Sequence, residues 1–151
     1  MPSTFEDRVQ LAREFLDGMG VLDFDRVARY LATDAVMVLP FVEDVPATRG
    51  SAAIVDQLRT SMPAMFVRMD FVYDRWYEVA GEQLVIAEYH SKALQRGTGN
   101  IYRNTYITIF GFEGDKITLY KEYLNPLRFA GLAQSAAAGQ GSAEWREPLL
   151  P

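Results

Sequence analysis

The sequence predicts an α+β domain in which three N-terminal helices cover one face of a curved antiparallel meander sheet. Two observations carry this. Through most of the first 63 residues the apolar side chains recur at three- and four-residue steps, and from Phe66 onward they recur at every second position. Four β-rich runs, Phe66–Val79, Gln83–Leu94, Tyr102–Phe112 and Lys116–Leu124, are then separated only by short Gly-bearing gaps, the signature of hairpins.

In chain order, Phe5, Val9, Ala12, Phe15, Leu16 and Met19 form one apolar helical stripe, with Ser3 and Glu6 spaced as a capping box and Gly18 and Gly20 as stop signals. Asp23 is placed to cap a short helix over Phe24–Leu31. Ala35–Leu39 reads as a buried strand closed by Pro40. Ser51 is placed to cap a third helix with Ile54, Val55 and Leu58 inward, ended by Pro63. Residues 134–142 hold Ala, Gly, Ser and Gln with nothing to bury, so a domain over 1–133 and a flexible tail over 134–151 are expected: a frayed terminus is the first reading, and Trp145, Leu149 and Leu150 pinning it onto the body or a partner is the alternative.

Composition narrows the chemistry. The chain has 151 residues, no cysteine and one histidine, which excludes disulfides, thiolate metal sites and cysteine nucleophiles. Fifteen basic against 20 acidic side chains give a net charge of −5, and the bases are scattered, which argues against nucleic-acid binding. No apolar run approaches the roughly 20 residues that a bilayer helix needs, and the start lacks the pattern of a leader, so no membrane partner and a cytoplasmic location are expected. Glu88, His90 and Glu122 lack the spacing of a metal site, and no metal is predicted.

The strand faces point to a pocket. Tyr102, Asn104, Tyr106, Thr108, Phe110 and Phe112 share one face of their strand, and Thr118, Tyr120, Glu122 and Leu124 share one face of the next. Asn104, Tyr106, Tyr120 and Glu122 are too polar for a dry core, because each buried polar group without a partner costs roughly 1–3 kcal/mol. A cavity whose ligand satisfies them is the cheaper arrangement; the competing reading makes Glu122 an ordinary ion-pair partner of Lys121, Arg103 or Arg128. Apolar residues on the opposite face (Ile107, Ile109 and Leu119, with Tyr123) predict a second sheet packed there, most simply a homodimer through the outer face.

Three stretches carry a family resemblance: Tyr102-Arg-Asn104-Thr-Tyr106, then Phe110-Gly-Phe112-Glu-Gly114-Asp-Lys116-Ile117, then Lys121-Glu122-Tyr123-Leu-Asn125-Pro126. Together with Arg49-Gly50 they resemble the SnoaL-like group of the nuclear-transport-factor-2-like superfamily, with the closest look to phenazine-biosynthesis PhzA/PhzB-like proteins. The resemblance covers about residues 5 to 132. It implies a cone-shaped half-barrel with a deep central pocket, usually dimeric. Glu122 falls where those proteins carry an acidic general acid/base. Gln57 stands where the phenazine proteins carry a histidine, and it cannot exchange a proton, which puts the phenazine-forming condensation in doubt. The catalytic positions of ketosteroid isomerases fall on Phe15, Leu39 and Thr108, and the histidine of the fold's dehydratases on Met65 or Phe66; neither chemistry is supported.

The expectation is a cofactor-independent enzyme performing acid/base chemistry on an aromatic or cyclic carbonyl or imine compound. Glu122 would be the proton carrier and His90 its partner if even-numbered residues of the third β-run face inward; if odd-numbered ones do, Ala87, Tyr89 and Ser91 join the pocket instead. Asn104, Tyr106, Tyr120, Thr108, Phe110, Phe15, Leu39 and Gln57 are the substrate-binding candidates. The alternative is a non-catalytic binder of a small hydrophobic ligand, or a dimeric accessory protein.

Overall fold

The computed structural model describes residues 3–138, with side chains described to residue 132; Trp145, Leu149 and Leu150 lie outside that range. Helix α1 (Phe5–Gly20) begins one residue later than the predicted box: Thr4 Oγ1 accepts from the Asp7 backbone N–H, and the Asp7 carboxylate accepts from the Thr4 N–H. Neither Gly18 nor Gly20 stops it. Leu22 adopts the left-handed conformation instead, with Asp23 N–H on the Gly18 carbonyl and Leu22 N–H on that of Met19. Gly20 serves packing: a Cβ there would lie 2.2 Å from the Met69 carbonyl oxygen, so only glycine lets the end of α1 cross the sheet this closely.

Helix α2 (Phe24–Tyr30) is capped by Asp23 as predicted, and runs directly into β1 (Leu31–Val38), longer than the expected strand. A two-residue strand β2 (Thr48–Arg49), unforeseen in the sequence, leads into α3 (Ser51–Met65). The cap of α3 is Gly50, without a side-chain bond, rather than Ser51. Pro63 lies inside the last turn instead of ending it. The last-turn carbonyls are satisfied from outside the helix: Arg96 gives Nε to Pro63 O at 2.5 Å and its backbone N–H to Met65 O at 2.8 Å.

The four β-runs form β3 (Phe66–Glu78), β4 (Leu84–Gln95), β5 (Ile101–Glu113) and β6 (Lys116–Leu124), antiparallel in sequence. The sheet as a whole is mixed rather than a pure meander: its order is β2-β1-β6-β5-β4-β3, and β1 runs parallel to β6. The class is α+β, with four helices on a curved, unclosed sheet. The fourth, α4 (Pro126–Ala138), extends past residue 133.

Bulges shape the sheet. One sits between Tyr73 and Arg75 on β3; another lets Phe112 pair with Ile117 while Gly111 pairs with Leu119, leaving Thr118 as the extra residue. This second bulge turns Ile117 into the core, fully buried, and leaves Thr118 half-buried, the reverse of strict alternation. The core fills the space between the helices and the sheet, with Phe15, Leu16, Val27, Ile54, Val85 and Phe110 among its sealed members. On the outer face Ile107 and Val72 are 45% and 53% exposed, which leaves apolar surface on that side of the sheet.

Gly20→Ala is expected to destabilise the fold by about 2 kcal/mol or more, because displacing the β3 backbone outweighs the better helix propensity of alanine. Urea unfolding checks this; an equal or higher stability of the variant contradicts the close approach.

Candidate functional site

Between α1, α3 and the inner sheet face lies a cavity of about 280 Å³. Its chemistry follows from strand phase. On β5 and β6 the even-numbered residues point inward, which brings Tyr102, Tyr106, Tyr120 and Glu122 to its wall as the alternation predicts. Leu39 and Gln57 also line it, and Gln57 Oε1 accepts from Thr48 Oγ1 at 2.5 Å. No Lys, Arg or His is among the described lining residues, so Glu122 is the one ionisable acid in an otherwise neutral wall.

Glu122 is 9% exposed, and both hydrogen bonds that reach its carboxyl end on Oε2. Tyr120 donates to Oε2 from two residues away on the same strand, and Tyr89 donates at 3.2 Å from β4. Oε1 has no donor among the described residues. Burial raises the Glu122 pKa to about 7, opposed by the two tyrosine bonds, which favour the ionised form. A carboxyl so tuned is half ionised near neutrality and can both take and return a proton. Burial and the neighbouring carboxylate push Tyr120 and Tyr89 well above the usual phenol range, so both remain protonated donors.

The remaining predicted residues sit around the cavity rather than in it. Phe110 stacks flat on Tyr120 at 5.6 Å and Phe15 meets the same ring edge-on at 5.1 Å, so together they fix the tyrosine from beneath. Thr108, fully buried, shares a 2.6 Å hydrogen bond with Tyr89 and so orients the second donor. Asn104 is also sealed: its Oδ1 accepts from the Thr105 and Asn125 backbone N–H groups, and its Nδ2 donates to Tyr102 and to Asn125 O. It braces the wall and does not line it.

His90 must be corrected. On β4 the odd-numbered residues Val85, Ala87, Tyr89, Ser91 and Ala93 are buried, so the even-numbered row faces outward. His90 Nδ1 lies 2.8 Å from Asp74 Oδ2, and Glu88 accepts from Tyr77, both on the far side of the sheet from Glu122. The five-residue turn between β4 and β5 sets this register, and neither strand's composition fixes it. Glu88, His90 and Glu122 therefore do not converge.

Sequence reasoning missed the methionines. Met19, Met37, Met62, Met65 and Met69, every methionine except the first residue, line the cavity from α1, β1, α3 and β3. Each taken alone reads as ordinary core; the signal was their common placement at the element ends that ring one hollow. Unbranched thioether chains adapt to irregular shapes, so this wall can close around ligands of differing outline.

The sequence and the fold have relatives. The SnoaL-like domain family matches residues 12–120. A Bacillus subtilis (strain 168) protein of uncharacterised function, YesE, is 28% identical over 125 residues, covering 82% of this chain and 84% of that protein. A crystal structure of a Bacillus subtilis protein provisionally named an isomerase is 27% identical, with a TM-score of 0.77, and covers 92% of this chain and 98% of its own. An epoxide hydrolase from Mycobacterium tuberculosis shares the fold at 19% identity, with a TM-score of 0.69 over 88% of this chain and 94% of that one. No helix among the described residues is long and apolar enough to cross a membrane. With the family match spanning well over half of its length, the chain belongs to the SnoaL-like domain family.

Proposed function

We propose that the protein is a cofactor-independent enzyme that moves a proton between carbon atoms of a neutral, largely apolar cyclic or aromatic carbonyl compound. The observation that carries this is Glu122: a buried carboxyl poised near neutrality, with Oε2 held by two tyrosines and Oε1 left without a donor in an apolar cavity. In the forward step Oε1 takes a proton from the carbon beside the carbonyl. The C–H electron pair becomes the new C=C bond, and the carbonyl electrons move onto oxygen as an enolate. The same proton is then returned at the original carbon or at a conjugated one, so a single acid/base suffices for isomerisation and no second titrating partner is required. The provisional isomerase name of the Bacillus subtilis neighbour supports this class of reaction.

The cavity's charge selects the ligand. With one carboxyl and no cation among its described lining residues, an anionic ligand meets repulsion without compensation, whereas a neutral ketone loses little on entering. A volume of about 280 Å³ suits a compact one- or two-ring molecule.

The direct test is hydrogen–deuterium exchange of the α-hydrogens of α-tetralone in D2O, followed by NMR. The protein should accelerate exchange, with a rate that rises through pH 7 and then levels as Glu122 ionises. Glu122→Gln should lower that rate by about 100-fold or more, and His90→Gln should leave it unchanged. Exchange surviving in Glu122→Gln would remove the carboxyl from the chemistry; binding of the ketone with no exchange in the wild type would favour the non-catalytic ligand binder.

Stability gives a second test. The Glu122 pKa rises from 4.5 in the ordinary case to about 7 in the fold, so the folded state holds the proton more tightly. Its contribution is fully present below about pH 4.5 and is lost as pH rises through 7. Glu122→Gln should therefore gain on the wild type by about 3 kcal/mol between pH 4 and pH 8 in urea titrations. A difference that is flat with pH contradicts the raised pKa.

A further inference from the structure

We infer that the outer face of the sheet seats a second copy of this chain, packed about a two-fold axis that runs across the strands through the row Val72, His90, Thr105. The distribution of charge and apolar surface on that face carries this, independently of the reaction proposed above.

Strand register lays the outward side chains out in rows. On β4 the even-numbered residues face outward, and pairing with β3 and β5 fixes what flanks each of them. His90 lies between Val72 and Thr105 in the middle row. One step toward the β4–β5 turn, Lys92 lies between Asp70 and Arg103. One step the other way, Glu88 lies between Arg75 and Ile107. The two end rows are apolar on β4 and β5: Leu94 with Ile101 at one end, Ile86 with Ile109 at the other.

Two copies of this face complement each other about one axis. Sheets stacked face to face keep their strands nearly aligned, so a two-fold axis lies either along the strands or across them. An axis along β4 sets Lys92 against Lys92 and Glu88 against Glu88, like charge on like. An axis across the strands reverses the order of the rows, and its position decides what meets. Placed on the row of Lys92 or on that of Glu88, it again opposes like charges. Placed midway between rows on either side of His90, it leaves Glu88 against Leu94 or Lys92 against Ile86. On the row of His90 these conflicts disappear. Lys92 then faces the second copy's Glu88, Asp70 faces its Arg75, and the Leu94–Ile101 end covers its Ile86–Ile109 end. Arg103 meets the second copy's Ile107, over which its apolar stem can lie.

The side chains are arranged for such contact. Val72, Leu94, Ile101 and Ile107 are between 39% and 53% exposed, so the face keeps apolar surface for a second copy to cover. Glu88 is oriented by the Tyr77 hydroxyl at 3.0 Å, and Arg75 lies 5.2 Å over the same ring. Beside the axis, the Asp74 carboxylate is taken up by His90 of its own copy at 2.8 Å. Asp70 already shares its carboxylate with Arg68 at 3.0 Å, whereas Lys92 is exposed and has no partner among the described residues. The pair Lys92 and Glu88 therefore fixes the axis most sharply, and symmetry makes it twice.

Sedimentation equilibrium of the full chain tests this, with circular dichroism to confirm that each variant is folded. The wild type should sediment at twice the chain's 17.1 kDa. Lys92→Glu and Glu88→Lys should each weaken the dimer by roughly 10-fold or more, because each opposes like charges at two places. The double variant Glu88→Lys/Lys92→Glu restores opposite charges across the axis and should associate within about 3-fold of the wild type. Val72→Lys sets two cations against each other on the middle row and should dissociate the dimer, which keeps the test open if a charge reversal folds poorly. A wild type that stays monomeric at about 100 μM overturns the inference and leaves the face to another partner. A dimer that none of the single variants weakens has its contact elsewhere, which also overturns it. A dimer weakened by both charge reversals and not restored by the double variant overturns the pairing about this axis.

Discussion

Burying one carboxyl among aromatic rings is the constraint on which the rest of the structure turns. Removing an ionised carboxylate from water is expensive, and the fold answers with two tyrosine hydroxyls on a single oxygen and with a pKa lifted toward neutrality. A paired arginine would instead have held the carboxyl ionised and left no proton to exchange near neutrality. Here the charge is held at the balance point where both protonation states are accessible.

Much of the surrounding architecture serves to keep that balance. Phe15 from α1 and Phe110 from β5 clamp the ring of Tyr120, Thr108 clamps the hydroxyl of Tyr89, and Asn104 ties the inner face of β5 to the start of α4 through Asn125. None of these residues lines the cavity: Phe15 and Phe110 fix Tyr120, which does, and Thr108 fixes Tyr89, which holds the Glu122 carboxyl from behind the wall. The opposite wall is built from methionines, which adapt to shape. One side of the cavity is therefore rigid and polar at defined points, and the other side is deformable and featureless. That division suits an enzyme that positions a small reacting fragment while tolerating variation in the remainder of the molecule.

The sequence made some of this legible and hid the rest for identifiable reasons. The inward face of β5 and β6 could be read because Tyr102 to Phe112 and Tyr120 to Leu124 alternate cleanly, so Glu122 lands beside Tyr120 whatever the details. β4 resisted because both of its faces mix polar and apolar groups: Tyr89 and Ser91 on one, Glu88 and His90 on the other, with a long turn that leaves the register free. The bulge at Thr118 reversed Ile117, and no residue in that stretch announces it. Asn104 looked like a ligand contact because its true partners are backbone groups, which carry no signature in a sequence. Gly20 looked like a helix stop because its partner, the Met69 carbonyl, lies 49 residues away on another element.

Both the chemistry and the pH dependence of stability turn on the ionisation of one side chain. The most direct measurement is a pH titration of the Glu122 carboxyl itself, with carbon-13 in the glutamate side chains, NMR detection, and Glu122→Gln to assign the signal. A midpoint near 7 is the result required by a buried carboxyl held on one oxygen. A midpoint near 4.5 would mean a solvated group and would contradict the central claim.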